Sequence, residues 1–312
     1  MTAAASPVTG LHHVTAICGD PSVNVALHAE ALGLRLVKRT VNFDDPGAWH
    51  LYYGDELGRA GSIMTFFAWP NARPGRRGAG QVASTHYAVP KGALPFWRER
   101  LAAHGARHLG DETLFGEARA HFADPDGLPY TLVEADDPRA PWTAPDIPED
   151  KAIRGFHGVT LSLREGDTTA AILTRIFGYA EAGAESGRRR FVRPGGTAGV
   201  VELDVDPARP MGDDGVGVVH HVAFSVPDRA TQAEIRARLT ALGHRVTPSI
   251  DRNYFHAIYC RTPGGVLFEV ATEEPGFAVD EPRESLGAAL KLPPQYEAHR
   301  REIAAALPPL GR

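Results

Sequence analysis

Gly10-Leu11-His12-His13-Val14-Thr15 and Val219-His220-His221-Val222-Ala223 are near-copies of one extended segment, placed at opposite ends of a 312-residue chain. Two further extended runs carry a histidine close to their start, Thr85-His86-Tyr87-Ala88-Val89 and Phe156-His157-Gly158-Val159-Thr160-Leu161. Each of the four is followed by a helical stretch that stops at a glycine: Gly33, Gly105, Gly178 and Gly243, spaced 72, 73 and 65 residues apart. That period is longer than the ~20–50 residues of a solenoid repeat and suits a compact supersecondary unit.

The helix boundaries are written locally. Asp20-Pro21 supplies an N-cap and a proline at the first helical position, and Gly33 supplies a residue that tolerates positive φ past the end. Ile235, Leu239 and Leu242 form one apolar stripe before Gly243. Shorter alternating runs follow each helix, and Asp124-Pro125-Asp126-Gly127 and Thr262-Pro263-Gly264-Gly265 read as turns into a last strand. The unit is therefore βαβββ, repeated over residues 8–70, 82–136, 153–206 and 216–272. A proline-rich acidic stretch at 137–152 reads as a linker. It divides the chain into an N-terminal domain, 1–136, and a C-terminal domain, 153–272. The tail, 273–312, carries a helix expected over Gln295–Leu307 and serves either as a packing or dimer-contact arm or as a cover over a site.

Composition removes several functions. Lys+Arg 33 against Asp+Glu 38, with no basic stripe, argues against nucleic acid as partner. No apolar run is long enough to span a membrane, and Met1–Gly10 has neither the basic nor the apolar region of a secretory leader. Cys18 and Cys260 share no metal-binding or disulfide spacing, so a reducing cytoplasm is the expected compartment.

The fourfold βαβββ organisation resembles the vicinal oxygen chelate superfamily of glyoxalase I, bleomycin-resistance proteins and extradiol dioxygenases. The resemblance spans residues 8–272 and implies an α+β fold in which paired modules curl into two cup-shaped barrels. It also implies a divalent metal held on the inner faces of first and last strands. Strand alternation tests those places. His221 shares a face with Ala223 and Ser225, opposite the apolar Val222, Phe224 and Val226. Glu269 shares a face with Leu267 and Ala271, opposite Val266, Phe268 and Val270. A buried glutamate there needs a cation, either a metal or an arginine.

The second imidazole has two candidates. Aligning first strands sets His13, and also His86, on the position of His221, whereas His157 falls one residue early and leaves Gly158 there; a one-residue slip turns a side chain to the other face. The intervals from His157 to His221 and Glu269 nonetheless suit catechol extradiol enzymes, which take all three ligands from their two C-terminal modules. Register favours His13, which pairs unit one with unit four and leaves units two and three metal-free. Thr65 then parallels Glu269 on the last strand of unit one. Threonine is a poor ligand, so two histidines and one carboxylate leave open positions, the pattern of non-haem Fe(II) oxygenases. A glyoxalase I-type lyase would want a further carboxylate at Thr65.

The doubled histidines, with Lys38-Arg39-Thr40-Val41-Asn42-Phe43-Asp44, Tyr52-Tyr53-Gly54-Asp55 and Val266-Leu267-Phe268-Glu269, are similar to the hydroquinone-type ring-cleaving dioxygenases. That narrower resemblance implies Fe2+, with Mn2+ as the other candidate, on His13, His221 and Glu269. It implies His12, Thr15, His220, Arg252 and Tyr259 around an aromatic diol, with O2 as co-substrate. The expected activity is O2 insertion beside a hydroxylated ring carbon. Catechol cleavage, a glyoxalase-like lyase or isomerase and a metal-free binding protein are the alternatives. Exposed strand edges lead us to expect a homo-oligomer.

Overall fold

The computed structural model describes residues 8–311; Met1–Pro7, part of the segment read above as carrying no leader, and Arg312 lie outside the described residues. All four units fold as βαβββ. Unit one is β1 (Gly10–Cys18), α1 (Pro21–Val25), β2 (Arg35–Val41), β3 (Trp49–Gly54) and β4 (Ile63–Ala68). Unit two is β5 (Gln81–Val89), α2 (Leu94–Ala103), β6 (Arg107–Leu114), β7 (Glu117–Ala123) and β8 (Pro129–Glu134). Unit three is β9 (Gly155–Leu163), α3 (Asp167–Arg175), β10 (Ala180–Glu185), β11 (Arg188–Val192) and β12 (Val200–Val205). Unit four is β13 (Val219–Val226), α4 (Arg229–Ala241), β14 (Ile250–Asp251), β15 (Phe255–Arg261) and β16 (Leu267–Pro275). In the tail a 3-10 turn, Pro294–His299, runs into α5 (Arg300–Ala306).

The local signals act as their chemistry dictates. The Asp20 carboxylate accepts from the Ser22 amide at 2.8 Å, and Asp228 caps α4 by accepting from the Thr231 amide at 2.8 Å. After α1 the chain continues as a π-helical turn over Ala26–Ala31, then turns out through Gly33 at φ 66°. The Asp124 turn closes with Gly127 N–H on the Asp124 carbonyl at 2.9 Å, and the Thr262 turn with Gly265 N–H on the Thr262 carbonyl at 2.9 Å.

The strands form two eight-stranded sheets, ordered β14-β15-β16-β13-β1-β4-β3-β2 and β10-β11-β12-β9-β5-β8-β7-β6. Units one and four thus share one sheet, and units two and three the other. This corrects the division into domains 1–136 and 153–272, because each sheet takes one unit from each half. The reason lies in the ladder. Each first strand is hydrogen-bonded to the last strand of its own unit on one edge, and its other edge finds an antiparallel first strand, β13 for β1 and β9 for β5. The two crossings between sheets lie side by side, bridged at Pro74↔Val216, Arg76↔Asp213 and Ala79↔Met211.

The apolar faces pack outward under the helices, Val222, Phe224, Val226, Phe268 and Val270 joining Ile235 and Leu239 in the main core. The inward faces keep small or polar residues such as Ala223, Ser225 and Thr15. The two sheets also meet through a buried polar contact. His28, fully buried, gives its Nδ1 proton to the Asn24 carbonyl at 2.9 Å, so its Nε2 accepts from the Tyr130 hydroxyl at 2.8 Å. Burial holds this imidazole at a pKa of about 4 against an ordinary 6.5. The unfolded chain therefore takes up the proton first. Stability from His28 is complete above pH 6.5, falls as pH drops from 6.5 towards 4, and amounts to about 3 kcal/mol. Comparing His28→Gln with wild type in denaturant titrations from pH 7 to pH 4, we expect the variant to lose less stability on acidification by that order.

Candidate metal centre

Two first strands meet at the middle of the first sheet, and their register sets the site. β1 pairs antiparallel with β13 as His13↔Ala223 and Thr15↔His221, so a local twofold relates His13 to His221 and Thr15 to Ala223. β1 runs parallel to β4 with Thr15↔Thr65, and β13 runs parallel to β16 with Ala223↔Glu269, so the same twofold relates Thr65 to Glu269. Three of the four symmetric places hold groups that ligate metals, and the fourth is Thr65.

The three converge. His13 Nε2 lies 3.2 Å from His221 Nε2 and 3.3 Å from Glu269 Oε2, and His221 Nε2 lies 3.0 Å from the same oxygen. Among the described residues this is the one group of three or more His, Cys, Asp or Glu side chains whose ligand atoms gather this closely, all within 4.8 Å. Glu269 is fully buried, and neither of its oxygens has a hydrogen-bond partner. An unpartnered buried carboxylate is costly. No arginine among the described residues answers it, and a divalent cation between the imidazole nitrogens would. The donor set fits a metal ion.

The doubled histidines form matched pairs. His12 Nδ1 is 2.9 Å from His13 Nδ1, and His220 Nδ1 is 2.7 Å from His221 Nδ1, with the rings edge to face in both. Burial, then the adjacent histidine, lowers His12 to about 3 and His220 to about 4, so both are neutral. A neutral imidazole can accept the Nδ1 proton of the next ring, which leaves Nε2 of that ring unprotonated and aimed at the cluster. Tyr259 sits directly across the hairpin from Glu269, as the turn at Thr262 predicts. Arg252 Nε donates to the Tyr259 hydroxyl at 3.2 Å. Thr15 and Thr65 face each other at 3.4 Å.

His50, Phe67 and Phe255, which sequence reasoning did not single out, complete the cavity with Asn42 and Tyr52, which lie in the stretches quoted for the narrower resemblance. His50 Nε2 contacts the Thr65 hydroxyl at 2.6 Å, and its Nδ1 the Tyr52 hydroxyl at 3.0 Å. Strand alternation could have placed His50, two positions before Tyr52 on the same face of β3. Phe255 could not be found that way, since its ring reaches His12 and His13, each 5.1 Å away, from a strand in the other unit.

His157 does not join this group. It lies on β9 in the other sheet, with Nε2 3.2 Å from Glu117. His86 is also misplaced by sequence alignment. In the second sheet Ser84↔Thr160 and His86↔Gly158 repeat the pattern of β1 and β13, so His86 stands at the place of Thr15, and Ser84 at that of His13. The shift arises because β5 begins two residues earlier relative to its histidine. At the place of His221 stands Gly158, where a Cβ would lie 2.2 Å from the Val200 carbonyl oxygen.

Glu202 occupies the place of Glu269 in that second cup, and it too is fully buried. Its counter-ion is protein. Arg119 donates from Nη1 to Oε2 at 3.0 Å and from Nη2 to Oε1 at 2.7 Å, and Arg190 Nη2 adds a bond at 2.8 Å. The arginine alternative weighed for Glu269 is thus realised here instead.

The comparisons agree with this architecture. Residues 155–270 match the family model described as Glyoxalase/Bleomycin resistance protein/Dioxygenase superfamily. The Bacillus subtilis protein MhqO, assigned by name as a ring-cleaving dioxygenase, is 45% identical over 306 residues, 98% of this chain and 97% of that one. This chain belongs to the glyoxalase/bleomycin resistance protein/dioxygenase superfamily. The chlorohydroquinone/hydroquinone 1,2-dioxygenase of Sphingobium indicum is 35% identical over 305 residues, 95% of each chain. A crystal structure described as that of a Bacillus subtilis dioxygenase superposes with TM-score 0.94 at 45% identity, covering 98% of both chains. Glyoxalase I of Zea mays, at 13% identity and TM-score 0.63 over 85% of this chain and 92% of that one, shares the fold.

Within this superfamily fold the second cup makes its own prediction. Arg119→Gln leaves Glu202 buried and short of its main counter-charge, and should cost about 3–5 kcal/mol of stability. The double variant Arg119→Met, Glu202→Met should recover most of that loss in the same denaturant titration.

Proposed function

We propose that this protein is an Fe(II)-dependent ring-cleaving dioxygenase that acts on hydroquinone-type aromatics and inserts O2 beside a hydroxylated ring carbon. The observation that carries the reading is the convergence of His13, His221 and Glu269 with Thr65 at the fourth symmetric place. Two neutral imidazoles and one carboxylate are the facial set of non-haem iron oxygenases and keep positions open for two reactants. The names of relatives that match almost end to end, above all the hydroquinone 1,2-dioxygenase, support the choice of chemistry. A glyoxalase-type site would want a ligand where Thr65 stands.

Iron(II) bound there would supply a Lewis-acidic, redox-active centre open to both the diol and O2. The chain does the rest. His12 and His220 fix the tautomer and aim of the ligand rings. The Arg252 guanidinium, close to the cluster, stabilises the negative oxygen of an ionised diol. Tyr259, which accepts from Arg252, keeps its own proton to donate to an anionic oxygen; burial pushes its pKa up, so that proton is retained. Phe43, Phe67 and Phe255 wall the cavity with apolar rings and keep bulk water from a bound aromatic. A para-diol reaches one ion through one hydroxyl only, so its ring needs these walls for orientation. Two buried free cysteines suit a reducing compartment, and we place the enzyme in the cytoplasm. Among the described residues no helix is long and apolar enough to cross a membrane.

After anaerobic loading with Fe(II), oxygen uptake is expected with methylhydroquinone and more slowly with catechol. His13→Ala, His221→Ala and Glu269→Gln should abolish it, and His157→Ala should leave it within twofold. A dead His157→Ala enzyme that prefers catechol would overturn the reading. His12→Ala and His220→Ala should each weaken metal binding about 10–100-fold in chelator competition, with the fold intact by circular dichroism.

A further inference from the structure

The cavity over the histidine cluster is too small for its proposed occupant. It encloses ≈ 40 Å³, whereas a cavity that takes benzene measures about 150 Å³. A substituted ring enters only when part of the wall moves. Most of that wall is ladder-bonded strand, since His13, Tyr52, Phe67, Tyr259 and Glu269 all lie on β1, β3, β4, β15 or β16. The exceptions are Arg252, in the short turn between β14 and β15, and the β2–β3 connection, Asn42–Ala48, in which Asp44, Asp45 and Gly47 are exposed and Phe43 is half-buried over the cavity.

This segment is held from two sides. On the inner side the Arg252 guanidinium stands 5.9 Å from the centre of the Phe43 ring and 5.4 Å from that of Tyr259, with Nη1 3.6 Å from the Asp44 carboxylate. The Asp44 side chain is 82% exposed, so water competes for that ion pair and leaves it weak. On the outer side the Tyr296 hydroxyl donates to the Phe43 carbonyl at 2.7 Å. Tyr296 belongs to the tail, and the tail is firmly seated. Leu292 and Ile303 pack on Val41, the Lys291 amide donates to the Arg39 carbonyl at 2.9 Å, and Trp49 Nε1 donates to the Pro308 carbonyl at 2.7 Å. Nearer its start, the wholly buried Lys38 ammonium is clamped by Asp280, at 2.6 Å, and Glu281. A fixed arm therefore grips, by one hydroxyl, the backbone of the residue that closes the cavity.

We infer that the C-terminal tail sets the mouth of the site. Tyr296 is a positioning residue for Phe43, holding Asn42–Ala48 closed over the cavity, and the ring enters when the Tyr296 hydrogen bond and the Arg252–Asp44 contact open together. The inference rests on the reading of the cavity as a site for an aromatic ring. It also decides between the two roles expected for the tail: the arm acts on the site, through the loop rather than by covering the metal residues itself.

The test uses Tyr296→Phe, which removes only the hydroxyl, and Ile303→Val, which loosens the tail's packing and leaves that hydroxyl in place. Hydrogen exchange reads the segment directly, because the amides of Asp44, Asp45 and Ala48 are bonded within it. We expect Tyr296→Phe to speed exchange at these amides about fivefold, the worth of one neutral hydrogen bond, without change in β13. In the iron-loaded enzyme the KM for methylhydroquinone should fall by a similar factor with kcat within twofold, because the open form that admits the ring is more populated. Ile303→Val should lower the melting temperature and move neither quantity. Unchanged exchange and KM in Tyr296→Phe, a rise in its KM, or an equal fall in KM with Ile303→Val, would overturn the inference. If wild type consumes no oxygen with any diol, the function proposed above fails, and the exchange comparison still decides whether Tyr296 holds the segment.

Discussion

The antiparallel pairing of β1 with β13 is the contact on which the site depends. It joins strands from opposite ends of the chain, and its register, His13↔Ala223 and Thr15↔His221, makes a twofold axis run between the two histidines. Bulges between Leu11 and His13 and between Thr15 and Ala16 break strict alternation. They let adjacent histidines touch through Nδ1 where a regular strand would send them to opposite faces. A one-residue slip of one strand in this ladder would turn its histidine off the inner face and part the pair. The helices matter because they cover the outer apolar face and leave the inner face to polar chemistry.

The two cups show how one constraint is met in two ways. Both bury a glutamate at the same place on the last strand of the C-terminal partner unit, Glu269 in one and Glu202 in the other. A carboxylate in a dry interior must face positive charge. In the second cup Arg119 and Arg190 provide it permanently, and the two imidazole places have become Ser84 and Gly158. In the first cup no guanidinium among the described residues reaches the carboxylate oxygens, and two imidazoles stand beside them, a set that could hold an ion. One cup is therefore complete as protein.

Much of this was legible without coordinates. The βαβββ repeat, the helix start at Asp20, the inward face of β13 and the Tyr259–Glu269 neighbourhood all follow from periodicity and turn chemistry over a few residues. Choosing His13 over His157 was also a local argument, because register within a strand is a matter of parity. Parity alone could not separate Ser84 from His86, which share a face, and so the histidine was set one ligand position wrong in the second cup. Phe255 and Tyr296 act across hundreds of residues, and nothing near them in the chain signals what they touch.

The sequence by itself determined the units, their ends and which face of each strand is polar, since hydrogen-bond caps, glycine conformations and the two-residue strand period operate between near neighbours. On which units share a sheet the sequence spoke two ways, the register of His13 for the first unit with the fourth and the linker at 137–152 for halves. The tertiary structure decided it, because unpaired edges of first strands seek antiparallel partners wherever the chain brings them, and the chain brings the first unit to the fourth. It likewise decided that one buried glutamate faces arginines and the other faces histidines. Charge compensation is settled by which side chains arrive from other strands at a distance of about 3 Å, and no window along the chain contains them.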